Sequence, residues 1–151
     1  MLKRTFDIIV SIIAILLSSP IMILIAILIK FTSKGPVFFI QERIGLNGKY
    51  FKMLKFRTML HNSEKKGTGL LSFEDDPRIT NLGHFIRRIS LDEFPQFFNV
   101  LIGSMSIVGP RPPVTYELGD WSTFTPTMRK RFKVKPGITG FSQVYGRNNL
   151  G

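Results

Sequence analysis

Two adjacent carboxylates, Asp92 and Glu93, stand at the predicted start of a helix. Pro95 follows two residues later, and proline is tolerated only in a first turn, where its missing N–H costs nothing. Because the helix dipole favours acids there, simple capping is the more frequent explanation for an arbitrary sequence. Arg87 and Arg88 precede the pair, however, and nearby cations are expected to keep Asp92 ionised. An ionised Asp92 could serve as a nucleophile or as a magnesium ligand.

Basic residues on predicted strands and turns form a second candidate set for chemistry. Arg111 lies between two prolines, so its backbone is already stiff and less entropy is lost on binding. Guanidinium groups offer a planar fork that matches phosphate oxygens. For any one base, a solvated surface or contact with anionic headgroups is the more frequent alternative. The set comprises Lys55, Arg57, Arg87, Arg88, Arg111 and Arg147.

Composition limits which classes of protein are possible. The 151 residues suffice for one compact domain, and 44% of them are hydrophobic, which excludes a disordered tail. Cysteine is absent, which excludes a disulfide-stapled fold and a cysteine metal site. Only two histidines are present, which argues against a His-rich zinc site. The net charge of +11 indicates an anionic partner: nucleic acid, anionic lipid or a phosphorylated substrate.

The residues after position 35 predict a small α+β domain. Two segments rich in aromatic and β-branched residues, Val37–Ile44 and Tyr50–Met59, flank an Asn-Gly pair and predict a β-hairpin. Thr80 or Asn81 is expected to cap a helix that runs through Arg88. The Pro- and Gly-rich segments 109–113 and 135–140 predict rigid irregular loops.

A second amphipathic helix is predicted from near Asp92 to about Ile102 or Gly103. Its apolar face is expected to pack in the core, with membrane contact as the alternative, and one face can do some of each. That face comprises Phe94, Phe97, Phe98 and Leu101.

The N-terminal segment predicts a membrane helix. Residues 8–29 carry no charge and would form a helix of about 33 Å, the thickness of a bilayer's hydrocarbon core. The segment is too long for a cleaved signal peptide, and no cleavage site follows it. Ser19 and Pro20 interrupt it, because proline removes a helical N–H and serine hydroxyls can satisfy freed carbonyls. Both flanks are basic, so a spanning helix and a re-entrant helix–break–helix both remain open. Residues 1–34 would be the membrane segment and 35–151 a basic globular domain.

The ordered motifs resemble those of the bacterial sugar transferases, the monotopic phosphoglycosyl transferases. Any one motif is weak, but the ordered set is specific and covers nearly the whole chain. The resemblance implies a re-entrant helix broken at Ser-Pro and transfer of a sugar-1-phosphate from a UDP-sugar to polyprenyl (undecaprenyl) phosphate, which begins capsule, exopolysaccharide, O-antigen or glycoprotein glycan assembly. The motifs are the Ser-Pro break, Lys55-Phe56-Arg57-Thr58-Met59, Asp76-Pro77-Arg78-Ile79-Thr80, Ser90-Leu91-Asp92-Glu93-Phe94-Pro95-Gln96, Gly109-Pro110-Arg111-Pro112 and Lys135-Pro136-Gly137-Ile138-Thr139-Gly140.

The resemblance also implies a role for individual residues. Asp92 would be the nucleophile that forms a phosphosugar–aspartyl intermediate and expels UMP. Glu93 would bind Mg²⁺ with Asp92, or act as a base for the acceptor, and Mg²⁺ would neutralise the diphosphate. The implied phosphate-binding residues are Lys55, Arg87 and Arg111, with Arg57, Arg88, Gln143 and Arg147 as further members.

The resemblance places the protein at the cytoplasmic face of the bacterial inner membrane, bound to lipid and not to nucleic acid. Family members usually continue beyond the segment matching Gly146-Arg147-Asn148, so a C-terminally truncated member is expected. The competing hypothesis is a membrane-anchored basic adaptor for anionic lipid or nucleic acid, although no nucleic-acid motif is present. One hydrophobic segment is too few for a polytopic transferase. The sequence identifies neither the sugar, the pathway nor the oligomeric state.

Overall fold

The chain forms two compact units. The computed structural model describes residues 2–63, 76–114 and 121–145. The first unit is built from residues within 1–17, 40–54 and 96–151, and the second from 18–39 and 55–95. Three elements contribute residues to both units: α1 (Leu2–Thr32), β1 (Phe38–Ile44) and β2 (Tyr50–Phe56). The mixture of helices and short strands confirms the predicted α+β class.

The predicted hairpin is confirmed. β1 and β2 form a two-stranded sheet, joined through a 3-10 turn at Leu46–Gly48. Asn47 and Gly48 have φ of 55° and 78°, the positive values that a tight hairpin turn requires. β2 ends at Phe56, three residues before the predicted end, because Met59 forms a bridge with Ile79 instead.

The second unit has one apolar core. Residues spaced three and four apart on α1 share a face and supply half of it. The buried members are Met22, Ile25, Ile29, Phe56, Ile86 and Leu91. The helix α2 (Asn81–Arg88) contributes to this core and begins as predicted, because Thr80 Oγ1 accepts a hydrogen bond of 2.9 Å from Gly83 N.

The first unit contains a parallel pair of short strands that was not predicted. Besides its parts of α1, β1 and β2, the first unit contains α3 (Gln96–Ile102), β3 (Ser106–Val108), α4 (Pro126–Arg129), β4 (Gly137–Thr139) and α5 (Phe141–Tyr145). β3 pairs with β4, with Ser106 opposite Gly137. A Cβ on Gly137 would lie 2.1 Å from Gly109 N, so only glycine permits this approach. The prediction of an irregular loop over 135–140 was therefore wrong for β4, because three residues are too few to show a strand period.

α3 packs through a different face from the one predicted. Its buried residues are Gln96, Asn99 and Val100, whereas Phe98 is 41% exposed. The Asn99 amide accepts from Leu54 N at 2.9 Å and donates to Lys52 O at 2.8 Å, so it binds α3 to β2. A buried amide that satisfies strand backbone groups thus takes the place that periodicity assigned to phenylalanine.

Within the first unit, the start of α1 is fixed to β3 by polar contacts. Asp7 accepts hydrogen bonds from Ser106 Oγ (2.9 Å) and Ile107 N (3.0 Å), and forms an ion pair with Lys3. Arg4 donates to the carbonyls of Val100 and Leu101, in the last turn of α3, at 2.5 and 2.6 Å. The buried Asp7 therefore has a structural role.

The predicted break in the membrane helix is not confirmed. α1 is helical without interruption through Ser19 and Pro20, although the boundary between the two units falls just before, at residue 18. By length and composition, α1 is the one helix in the described ranges that could cross a membrane. Many of its large apolar side chains are exposed, among them Leu2, Leu16, Leu17, Ile23 and Phe31. Re-entry into the bilayer, and the division into residues 1–34 and 35–151, stay predictions.

Candidate active site

The acid pair lies on a turn of its own. Leu91–Glu93 forms a 3-10 turn that follows Ser90, which has a left-handed conformation with φ of 60°. The prediction of one helix starting near Asp92 was wrong, since α3 starts only at Gln96. The reason is Pro95, which has no N–H for the carbonyl of Leu91. Phe94 N donates to that carbonyl instead, closing the tighter turn. The buried Leu91 anchors this turn in the core, and Asp92 and Glu93 project from a short fixed turn.

Lys55 neutralises one of the two acids. Its Nζ lies 2.9 Å from Glu93 Oε1, and the two side chains are only 15% and 18% exposed. Lys55 is the penultimate residue of β2, so the strand carries the base to the acidic turn. Because both partners are largely shielded from water, the attraction between their charges is screened less than in a surface pair.

Asp92 lies in an environment that disfavours its charged form. Burial raises its pKa, and the negative charge of Glu93 adds to the rise. Lys55 and Arg87 lower the pKa but do not outweigh burial. The neighbouring bases Lys55 and Arg87 favour the ionised form of Asp92, as expected, but burial opposes them, and sequence neighbours reveal charge but not desolvation. A half-buried carboxylate of raised pKa is typical of functional sites.

Arg87 and Arg88 separate, as expected for neighbours on a helix. Arg87 is half-buried, and its Nε donates to Thr58 Oγ1 at 2.7 Å. Burial lowers its pKa, whereas Asp92 and Asp76 raise it through their charges. Arg88 is exposed. Arg87 is thus the member of this pair that interacts electrostatically with Asp92.

Arg57 points away from solvent. It is buried, and its Nη2 donates to Ser33 O (2.9 Å) and Ser33 Oγ (2.6 Å), just beyond the end of α1. A Cβ on Gly35 would lie 2.3 Å from Arg57 Nη1, so this packing needs glycine there. Cations at a helix C-terminus complement its dipole, which gives Arg57 a structural role. Its predicted role in phosphate binding stays a prediction.

The remaining predicted site residues belong to the first unit or lie outside the described residues. Arg111 is exposed between its prolines, and its carbonyl accepts from Arg131 Nη2 at 2.7 Å. Gln143 on α5 is half-buried and donates to Ile138 O at 3.5 Å. Arg147 lies outside the described residues. The structure thus brings together Asp92, Glu93, Lys55 and Arg87 within the second unit.

Asp76 is a second acidic residue of the second unit, and sequence analysis did not predict its structural role. Asp76 is fully buried and accepts hydrogen bonds from Arg78 Nε (2.9 Å), Nη2 (2.6 Å) and N (3.0 Å). These bonds are the largest cause of its low pKa, about 2. The signal was present as Asp-Pro-Arg, in which the acid and the base are two residues apart across a proline turn.

The carboxylate oxygens of Asp92 and Glu93 are suitable ligands for a magnesium ion that also binds a substrate. Carboxylate oxygens are what Mg²⁺ prefers, and a cation beside Asp92 would oppose the rise in its pKa. The described residues contain no group of three or more His, Cys, Asp or Glu side chains placed to hold a metal. Two carboxylates alone leave most of an octahedral shell to water and phosphate oxygens, as is usual for Mg²⁺ in phosphoryl-transfer sites.

The described residues thus combine a long apolar N-terminal helix with an acid pair set beside two bases. Residues 1–151 match the family described as "Bacterial sugar transferase", and the chain belongs to this family, as the motifs predicted.

Two of the similar proteins are named by a sugar and a lipid phosphate. A UDP-glucose:undecaprenyl-phosphate glucose-1-phosphate transferase of Klebsiella pneumoniae is 47% identical over 146 residues, or 95% of this chain and 31% of that protein. A UDP-N-acetylgalactosamine-undecaprenyl-phosphate N-acetylgalactosaminephosphotransferase of Aeromonas hydrophila is 44% identical over 95% of this chain and 34% of that protein. The chain thus spans about a third of these relatives.

A shorter relative is covered more completely. The exopolysaccharide production protein ExoY of Sinorhizobium fredii is 38% identical over 162 residues, which is 98% of this chain and 70% of that protein.

Proposed function

We propose that this chain carries out phosphoglycosyl transfer, moving a sugar-1-phosphate from a UDP-sugar to undecaprenyl phosphate with release of UMP. The observation that carries the proposal is the turn bearing Asp92 and Glu93, with Lys55 and Arg87 around it in one unit. The names of the relatives, which pair a UDP-sugar with undecaprenyl phosphate, support the same substrates here. The reaction would be the first membrane step of capsule, exopolysaccharide, O-antigen or glycoprotein glycan assembly.

In the first half-reaction, a carboxylate oxygen of Asp92 attacks the β-phosphorus of the UDP-sugar. The bond from that phosphorus to the bridging oxygen breaks, and UMP leaves with the electron pair. The product is a phosphosugar ester of Asp92. A raised pKa suits this step, because a more basic carboxylate is a better nucleophile once it is ionised. Lys55 and Arg87 supply positive charge to the ionised form and to the phosphate oxygens.

In the second half-reaction, a phosphate oxygen of undecaprenyl phosphate attacks the same phosphorus. The bond between phosphorus and Asp92 breaks, which regenerates the carboxylate and yields undecaprenyl diphosphate sugar. Dividing the transfer into two steps lets one site serve a water-soluble donor and then a lipid acceptor.

Magnesium is part of the proposal. Asp92 and Glu93 would hold it together with phosphate oxygens of the donor, and it would neutralise charge on the diphosphate as UMP departs. Lys55, already paired with Glu93, would keep that carboxylate oriented toward the site.

The exposed apolar surface of α1 supports placement in a membrane. We propose that α1 enters and leaves on the cytoplasmic face of the inner membrane, which would require the continuous helix to bend at Ser19 and Pro20 in the bilayer. Such a placement keeps the site within reach of a lipid phosphate while the donor arrives from the cytoplasm.

The test is UMP release by the 151-residue protein in nanodiscs with a panel of UDP-sugars, Mg²⁺ and undecaprenyl phosphate. Without acceptor, a donor labelled with ³²P in the β-phosphate should label the protein. Asp92→Asn should abolish both signals, whereas Glu42→Gln, an exposed acid on β1, should leave them unchanged. Salt-sensitive binding of lipid or RNA by a protein that releases no UMP would instead favour the adaptor.

A further inference from the structure

Arg87 is held by a single buried hydroxyl. Its Nε donates to Thr58 Oγ1 at 2.7 Å, and among the described residues this is the hydrogen bond that the Arg87 side chain makes. Thr58 is only 6% exposed, so the bond is shielded from water. A hydrogen bond from a guanidinium is charge-assisted, and such bonds are roughly twice as strong as neutral ones.

The hydroxyl itself cannot move freely, because the Thr58 backbone is clamped to α2. The Thr58 carbonyl accepts from Thr80 N at 3.0 Å and from Thr80 Oγ1 at 3.2 Å. A Cβ on Gly83 would lie 2.0 Å from the same carbonyl oxygen, which shows how closely the first turn of α2 approaches it. Thr58 thus lies three residues after Lys55 on one side and against the helix that carries Arg87 on the other.

The bond determines which part of Arg87 is available. Because Arg87 Nε donates to Thr58, the edge of the guanidinium formed by its two terminal Nη groups is the one left for a ligand. The spacing of these two groups matches two phosphate oxygens. A threonine side chain is stiff at χ1, so its hydroxyl is a well-defined anchor. We propose that Thr58 is a positioning residue, which holds the Arg87 fork for the diphosphate of the sugar nucleotide. This inference rests on the proposed function and deepens it.

The test is a double-mutant cycle between Thr58 and Arg87. Thr58→Val has nearly the same shape but no hydroxyl, and should lower kcat/KM for the UDP-sugar about tenfold, the loss expected for a bond to a charged group. Thr58→Ser retains the hydroxyl and should recover most of the activity. In an Arg87→Ala background, Thr58→Val should have no further effect.

A purely structural role for Thr58 predicts different results. Loss of activity in Thr58→Val that is equally large with and without Arg87, or that Thr58→Ser does not recover, would overturn the inference. Thr80→Val removes the side-chain bond to the Thr58 carbonyl but leaves the Thr58 hydroxyl. It should therefore lower the unfolding temperature without the tenfold kinetic loss.

The experiment also separates this inference from the proposed function. If wild-type protein releases no UMP from any donor, the proposed function fails, and the same cycle is run on UDP binding by calorimetry with Mg²⁺. Weaker UDP binding in Thr58→Val, absent in the Arg87→Ala background, would support the positioning role. Wild-type binding by Thr58→Val would overturn it.

Discussion

Two acidic turns in the second unit place carboxylates in opposite environments. Asp76 is fully buried, yet three hydrogen bonds from Arg78 bring its pKa to about 2. Asp92 is less buried, yet its pKa is raised, because burial outweighs the bases around it. Both acids interact with the charge of Arg87, so the presence of a nearby base is not what separates them.

The difference lies in whether hydrogen-bond donors are committed to the carboxylate. Donors aimed at Asp76 satisfy it completely, and the result is a rigid structural link. At the Leu91–Glu93 turn, Lys55 forms its ion pair with Glu93. The ionised carboxylate of Asp92 therefore remains costly to bury. The proposed nucleophile must remain open to a substrate phosphate, and the raised pKa of Asp92 fits that role better than the committed ion pair of Asp76 does.

The largest expected effect comes from Asp92→Asn. We expect UMP release to fall by about a thousandfold or more, since no carboxylate remains to form the ester. Stability should not fall with it. A pKa raised in the folded state means that the ionised form is destabilised above the ordinary pKa of Asp, so at pH 7 the variant should unfold at the same temperature or higher. A marked fall in unfolding temperature would contradict this assignment of roles.

Asp76→Asn is expected to have the reverse profile. It should cause the greatest loss of stability among these variants, because it leaves the Arg78 guanidinium buried without its counter-charge. Any fall in activity should follow the fraction of unfolded protein. Thermal unfolding of the nanodisc-embedded variant, with Glu42→Gln as the control, measures the effect.

The pH dependence sharpens the same prediction. Because the pKa of Asp76 is lowered to about 2, its contribution to stability is fully present above the ordinary Asp value, about 4. That contribution is lost as the pH falls through about 2. The difference in unfolding temperature between wild type and Asp76→Asn should therefore be constant from pH 7 to about 4 and shrink below it. A difference that shrinks already between pH 7 and 5 would mean that another group is responsible.

Lys55→Gln should have a smaller effect, about tenfold on kcat/KM for the donor. Lys55 lowers the pKa of Asp92, so its loss should raise that pKa further and move the acid limb of the pH–rate profile to higher pH. The control is Lys52→Gln, an exposed lysine on the same strand. An unchanged acid limb would indicate that the limb belongs to a group other than Asp92.

Local signals predicted the acid pair, the hairpin and the cap of α2, since each depends on a few neighbouring residues. The Asn47-Gly48 pair and Thr80 behave as their types require. Pro95 is also a local signal for the separate turn of the acid pair, because it has no N–H to donate to the carbonyl of Leu91.

The sequence could not show which residues that are distant along the chain come into contact in the fold. The direction of Arg57 toward Ser33, the contact of Arg87 with Thr58 and the burial that raises the Asp92 pKa all arise from tertiary packing. A count of nearby charges therefore identified the bases that lower the Asp92 pKa but not the burial that raises it. Desolvation depends on the folded core, and a list of residues does not contain it.

The smallest effects are expected from two helix caps that differ between the units. Thr80 Oγ1 accepts from Gly83 N at 2.9 Å and also donates to the Thr58 carbonyl at 3.2 Å, whereas Thr125 Oγ1 accepts from Met128 N at 3.3 Å in an exposed turn. Thr80→Ala should cost about 1 kcal/mol of unfolding free energy, the usual value for a lost N-cap. Thr125→Ala should cost clearly less, because α4 has four residues and its cap bond is exposed. Denaturant unfolding of both variants in the same detergent measures the difference. Equal losses would mean that the hydrogen bond from Thr80 Oγ1 to the Thr58 carbonyl adds nothing to stability.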